Sequence, residues 1–225
     1  MPEFGTLRKG GRTAVMAGSL VLACSTALCG TSSAAPSEPD RGLANICKQV
    51  ACRTETRTIT LNAPNDNVAR FSTDLLPYTY KGAIVIYPGE SFAVRMRVHG
   101  KRLDEPVFEV NSEGRPVPAP TGHRPDVEKR ALQDTEATPV DALVYLSFKQ
   151  VEGTNMRLEV VSALPVSLKY DAVMRVATPN GIQTGPTSSC PVLSGTAGVE
   201  NWPVPLTMLA LSNFRVVEPG SIGCQ

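Results

Sequence analysis

Six cysteines and two histidines are the residues of this chain best equipped for chemistry, and their spacing narrows what that chemistry can be. Cys47 and Cys52 have four residues between them, while Cys190 and Cys224 each stand alone with no histidine nearby. Structural zinc sites draw on closer thiolate pairs or on thiolate–imidazole sets, so the pattern points to disulfides and no metal is expected. Four cysteines allow three pairings. The local one, Cys47 with Cys52 and Cys190 with Cys224, is the expectation.

The histidines offer little to a catalyst. His99 ends an alternating segment beside Arg97 and Gly100, and His123 sits in the Pro/Gly-rich stretch PAPTGHRPD. No serine lies in a Gly-x-Ser-x-Gly elbow, the strained turn that exposes a nucleophile next to an oxyanion hole. The acids are no better placed. Asp104–Glu105 follows the HGKR turn, and Glu128, Asp134 and Glu136 alternate with Lys129 and Arg130 as they would on a solvated face. A glycosidase needs two carboxyls facing each other across a sugar, and a calcium loop needs acids at alternate positions. No catalytic residue and no cofactor is therefore assigned.

The first 35 residues carry a different message. Arg8, Lys9 and Arg12 precede the apolar run Thr13 to Leu28, and small residues follow in GTSSAAPSEPD, the order of an export signal. The apolar run falls short of the ~20 residues that span a bilayer. Two cleavage chemistries fit. An ordinary cut after Ala34 leaves Cys47, Cys52, Cys190 and Cys224, an even set able to pair. The alternative resembles the lipobox of bacterial lipoproteins, with Val21, Leu22 and Ala23 before Cys24 as the lipidated residue, and it leaves Cys29 without a mate. Either places the chain in a periplasmic or extracellular compartment, soluble or lipid-anchored, with the signal or the anchor as its sole link to a membrane.

The formal charge is +1 for the whole chain and becomes −1 once Glu3, Arg8, Lys9 and Arg12 leave with the signal. A surface this close to neutral, without Lys/Arg blocks, does not suit nucleic acid, whose binding rests on neutralising phosphates.

The elements that would position any site read as strands. SFAVRMRVHG places Phe92, Val94, Met96 and Val98 on one face and Arg95, Arg97 and His99 on the other, and PVSLKYDAVMRVATPNG repeats the pattern from Val166 to Val176 before an Asn180–Gly181 turn. RTITLNA puts Ile59 and Leu61 on one face, and NVARFST sets Val68 near Phe71. GAIVIYPGE, PVFEV, ALVYLSFKQV, MRLEVVSA and PLTMLALSNFRVV complete about nine candidates separated by Pro/Gly/Asn turns. The run YPGESFAVRMRV resembles turns of immunoglobulin-like envelope and cell-surface domains. The expectation is an all-β chain: an antiparallel β-sandwich, immunoglobulin-like or jelly-roll-like. Residues 1–35 are read as signal, 36–46 as a flexible lead-in without an apolar period, and 47–225 as one domain with a long loop at 111–139.

Two places invite binding. The loop at 111–139 carries His123 and Arg124, and the proline-flanked Trp202 could present a flat contact surface. The favoured function is an exported, non-catalytic envelope or secreted protein that binds a protein, polymer or assembly partner. The alternative is a secreted hydrolase acting on a cell-wall or carbohydrate substrate.

Overall fold

The computed structural model describes residues 38–118, 138–178, 181–218 and 223–224. In chain order its elements are α1 (Glu38–Ile46), β1 (Thr58–Ala63), β2 (Asn67–Ser72), β3 (Thr79–Tyr80), β4 (Ala83–Ile86), β5 (Glu90–His99), β6 (Arg102–Leu103), β7 (Val107–Phe108) and β8 (Val140–Gln150). There follow β9 (Met156–Ser162), β10 (Ser167–Thr178), β11 (Gly181–Thr187), β12 (Ala197–Trp202) and β13 (Leu206–Val217). The described chain is thus nearly all β, and every strand pairing in it is antiparallel.

One sheet runs β12-β9-β8-β5-β6, with β7 also on β5, and a second runs β11-β10-β13-β4-β3. Their buried faces share one core. Strand β5 supplies Phe92, Val94, Met96 and Val98, none more than 1% exposed, and β8 lays Val144, Leu146 and Phe148 beside them in a register that sets Glu90 opposite Phe148 and Val98 opposite Val140. Alternation does this because successive side chains leave opposite faces of a strand. On the outer face of β5, Arg95 pairs with Glu109 and Arg97 with Asp141. From the second sheet come Ile84, Ile86, Leu168, Leu209 and Leu211. A separate ribbon, β1 with β2, adds Leu61, and its turn uses the left-handed residues Asn65 and Asp66.

Several local readings need correction. The lead-in contains the helix α1. Leu43, Ile46, Cys47 and Val50 are half-buried at helical spacing, and that stripe begins only where the Pro/Ser-rich part of the segment ends. Val68 does not join the core with Phe71; it is 52% exposed, and Ala69 shares the inward face with Phe71. Lys169, expected on a polar outer face, is only 7% exposed and donates from Nζ to the Gly223 carbonyl at 2.9 Å. Residues 223–224 lie against β10 because Cys224 is joined to Cys190. The register between β10 and β13 also shifts between Lys169 and Asp171. Asn213, with φ of 51°, and Phe214 there oppose the single residue Tyr170, a bulge that sharpens the local twist.

Strands β3, β6 and β12 lack the pattern that made the others legible. The sequence of β12, AGVENW, holds a glycine and two polar residues, and pairing with β9 makes it a strand. Gly198 is required there, since a Cβ would stand 2.7 Å from Val192 Cγ2.

Candidate functional site

The two sheets meet along two seams, and the seams are built differently. At the first, the chain itself crosses from β11 to β12. On the way Val192 exchanges both backbone hydrogen bonds with Leu168, at 2.8 and 2.9 Å, and the Ser189 hydroxyl donates to the Tyr170 carbonyl. Tyr170 reaches over to donate to Glu200 Oε1 at 2.8 Å, and the Cys190 N–H donates to the same oxygen at 3.2 Å. Trp202 Nε1 donates to Thr187 Oγ1 at 2.9 Å, and its ring meets Phe148 edge-on. The Cys190–Cys224 bridge closes this seam. Burial is the main cause that holds the Tyr170 phenol well above its ordinary range, with the Glu200 charge adding to it. Burial likewise raises the Glu200 carboxyl, against the opposing hydrogen bonds from Tyr170 and Cys190 and the charge of Lys169.

The second seam lies between the edge β3 and the edge formed by β6 and β7, and a buried ionic knot anchors it. Arg53 is fixed by the backbone: Arg53 N–H donates to Leu76 O and Tyr78 N–H to Ala51 O, around a bridge between Cys52 and Pro77. The Cys47–Cys52 disulfide holds the turn before it. The guanidinium carries five N–H donors, and all are engaged. Nε and Nη2 grip Glu90 at 2.7 and 2.5 Å, Nη1 donates to Leu76 O and Pro77 O, and Nη2 also donates to Val85 O. The four acceptor sites of the carboxylate are filled too, by Arg53 twice, by Arg57 Nη2 at 3.1 Å and by the Tyr87 N–H at 2.8 Å. The rings of Tyr78 and Tyr87 lie 4.2 and 4.6 Å from the Arg53 guanidinium carbon. Burial holds both phenols above their ordinary range, so they face the cation as neutral rings. A pair this completely satisfied has no hydrogen-bonding capacity left for a ligand. Its work is to hold residues 51–57 and the turn before β5 in place.

Around the knot runs a furrow. A cavity of about 460 Å³ beside the α1 stripe, with Leu43, Val50 and Leu75 in its wall, adjoins a second of about 270 Å³ through Val50 and Ala51. The second lies between Thr79–Lys81 on one edge and Glu105–Phe108 on the other. It adjoins a third, of about 220 Å³, through Lys81, Glu105 and Pro106. At the opposite end Arg53 and Thr54 are shared with a polar cavity of about 250 Å³ that includes Arg57 and Tyr78. Leu75, Tyr80 and Val107 line this furrow while 39, 36 and 59% exposed. Stacking of Tyr78 on Phe108, with centroids 4.0 Å apart, and an edge contact from Phe92 to each tie the two sheets here by apolar surface. The ion pair of Lys101 with Glu218 is exposed and so contributes little.

Cys47 and Cys52, and Cys190 and Cys224, stand as two pairs at disulfide distance, one pair at each seam. Such bridges fit an oxidising compartment. Trp202 ends a strand and is 8% exposed, so its indole fills the core and gives no flat contact surface; the flanking prolines had suggested a loop. His99 lies exposed on the outer face of β5 opposite Arg102. Residues 111–118 of the long loop form a turn in which Asn111 Oδ1 accepts from the N–H groups of Glu113 and Arg115. Cys24, His123, Arg124 and residues 1–35 lie outside the described residues. Among the described residues no three potential metal ligands cluster, and no helix is long and apolar enough to cross a membrane.

Sequence reasoning missed Arg53, Glu90 and the whole open seam. The knot joins residues 37 positions apart, and nothing local marks either as buried. No protein-family model, curated protein or solved structure matches the chain.

Proposed function

We infer that this is an exported, non-catalytic cell-envelope or secreted protein, a β-sandwich of immunoglobulin-like or jelly-roll-like kind. It binds a protein, polymer or assembly partner along the seam between β3 and β7. One observation carries the reading: adjoining cavities with half-exposed apolar walls run along the seam between β3 and β7, beside a fully satisfied ionic knot. Concavity joined to apolar lining and few polar groups is what binding sites share. The basic, apolar, small-residue order of residues 1–35 and the two disulfides support export to a periplasmic or extracellular compartment, free or held by a lipid at Cys24. The near-neutral charge supports a partner other than nucleic acid.

A photo-crosslinking side chain at Val107, in the furrow, and another at Val199, an exposed position at the opposite seam, test the reading in intact cells. Adducts of defined mass from position 107 and none from 199 are expected. Equal labelling, or labelling from 199 alone, would exclude the furrow. Intact mass of the protein from soluble and membrane fractions tests export and fixes the cleavage point, and a cytoplasmic chain retaining Met1 would refute it.

A further inference from the structure

We propose that the furrow's partner is an extended polypeptide segment, taken up as an added β-strand between the edges β3 and β7; this deepens the binding reading above and rests on it. Antiparallel ladders alternate between residues that exchange hydrogen bonds and residues that turn their backbone groups away. In the β3–β4 pair, Val85 N–H donates to Tyr78 O at 2.9 Å, and Thr79 stands opposite Ile84 one position on. The N–H and C=O of Thr79 therefore aim away from β4. In the β5–β7 pair, Glu109 N–H donates to Ala93 O at 3.0 Å, and Phe108 stands opposite Val94. The N–H and C=O of Phe108 aim away from β5. Among the described residues the bridges Cys52 with Pro77 and Val110 with Pro116 stop short of Thr79 and Phe108, no named strand pairs with either outer edge, and both residues line the same cavity of about 270 Å³.

Two outward donor–acceptor sets on one cavity call for a ligand that presents N–H and C=O groups in alternation. A polypeptide backbone does so, whereas a glycan or an acyl chain does not. Natural edges are usually blunted by prolines, charges or bulges. The free edge β11 carries Pro186 and Gly185, and Glu200 of the free edge β12 turns inward to Tyr170. Within β3 and β7 themselves stands neither a proline nor a charge; Pro77 and Lys81 border β3, and Pro106 precedes β7. The charges at these borders add complementarity. Lys81, on the β3 hairpin, and Glu105, leading into β7, line the same cavity from opposite edges, so a segment with side chains of both charges meets both signs. The Leu43–Val50–Leu75 cavity beside it accepts an apolar side chain from the added strand. Strand addition of this kind draws affinity from the main chain and selectivity from alternate side chains.

The test uses the folded, disulfide-intact protein and a displayed library of random linear twelve-residue peptides. The best binder is then synthesised plain and with N-methyl groups on either of two alternating sets of residues. Strand addition between the two edges predicts that each methylated set weakens binding by about tenfold or more, because alternate amides of the added strand face β3 and β7 in turn and each backbone bond contributes on the order of 1 kcal/mol. The Thr79 and Phe108 amides gain exchange protection on binding. Val107→Asp, at an exposed position, weakens binding without moving the unfolding midpoint. Peptides that bind in the furrow yet tolerate both methylated sets overturn the strand and leave the binding reading standing. So does an enriched glycan that shifts furrow resonances when no peptide is selected. A concentration-dependent dimer lost in Val107→Asp overturns a separate partner in favour of a second copy. Peptides and glycans that perturb only β11 and β12 refute the strand and the furrow together.

Discussion

The seam at β11 and β12 is sealed by a chain crossing and a disulfide, whereas the seam at β3 and β7, beside the β4-to-β5 turn of residues 87–89, has its edge strands joined by side chains. At the first, a peptide crossing, a disulfide spanning 34 positions, and hydrogen bonds from Tyr170 and Trp202 leave the two sheets joined through polar and covalent links. At the second, the joining contacts are Arg53, which binds both Val85 O on β4 and Glu90 on β5, the rings of Tyr78, Phe92 and Phe108, and the exposed pair of Lys101 with Glu218. The fold thus seals the edge strands of one side. Its other side keeps apolar cavities and two outward backbone edges, braced by an ionic knot that ties the N-terminal segment down without filling the furrow.

Breaking the brace should have the largest effect. Arg53→Met leaves Glu90 buried with its four hydrogen bonds reduced to the two from Arg57 and Tyr87, and loss of one partner of a buried pair costs about 3–5 kcal/mol. Urea unfolding should show that loss. Adding Glu90→Leu to it should recover part of the stability, because no charge is then stranded; a double variant as weak as the sum of the singles would contradict the knot as described.

Next comes the covalent difference between the seams. In the chain-entropy view the Cys190–Cys224 loop is worth about 3–4 kcal/mol and the Cys47–Cys52 loop about 2. Cys190→Ser should therefore lower the unfolding midpoint more than Cys52→Ser. A non-reducing peptide map that links Cys47 or Cys52 to Cys190 or Cys224 would break the comparison outright.

Smaller still is the effect of Trp202→Phe, which keeps most of the ring but removes the donor to Thr187, at about 1 kcal/mol. Lys101→Ala at the open seam should leave the midpoint where it was, since its pair with Glu218 is solvated.

The smallest effect depends on pH. A carboxyl raised by burial favours its protonated form in the folded state, so its contribution is full below the ordinary value of 4.5 and is lost as pH rises through the folded pKa. Glu200→Gln keeps the acceptor for Tyr170 and Cys190 and cannot ionise. Its stability relative to the parent should improve from acid to neutral pH, read as the difference between urea midpoints. A relative loss on that climb would show that Glu200 is favoured as the anion.

How far the sequence could foresee this follows from locality. The face of β5 from Phe92 to Val98 was legible because burial on one side imposes period two on the residues themselves. Strand β12 was not, because Gly198 and Glu200 are set by what they touch, Val192 and Tyr170, on other segments. The outward groups of Thr79 and Phe108 leave no trace in residue type at all, for a ladder's phase belongs to the backbone of both partners. Trp202 misled for a related reason: Pro203, directly after it, marks the end of a strand as readily as a loop.

Residue-resolved amide exchange of the free protein tests the contrast between the seams most directly. The Cys190 and Val192 amides, bonded to Glu200 and Leu168 at 3.2 and 2.8 Å, should be protected, and those of Thr79 and Phe108 should exchange as unpaired amides do. Protection at Thr79 and Phe108 equal to that at Val192 would mean that the second seam is already filled, and would contradict the account of it as open.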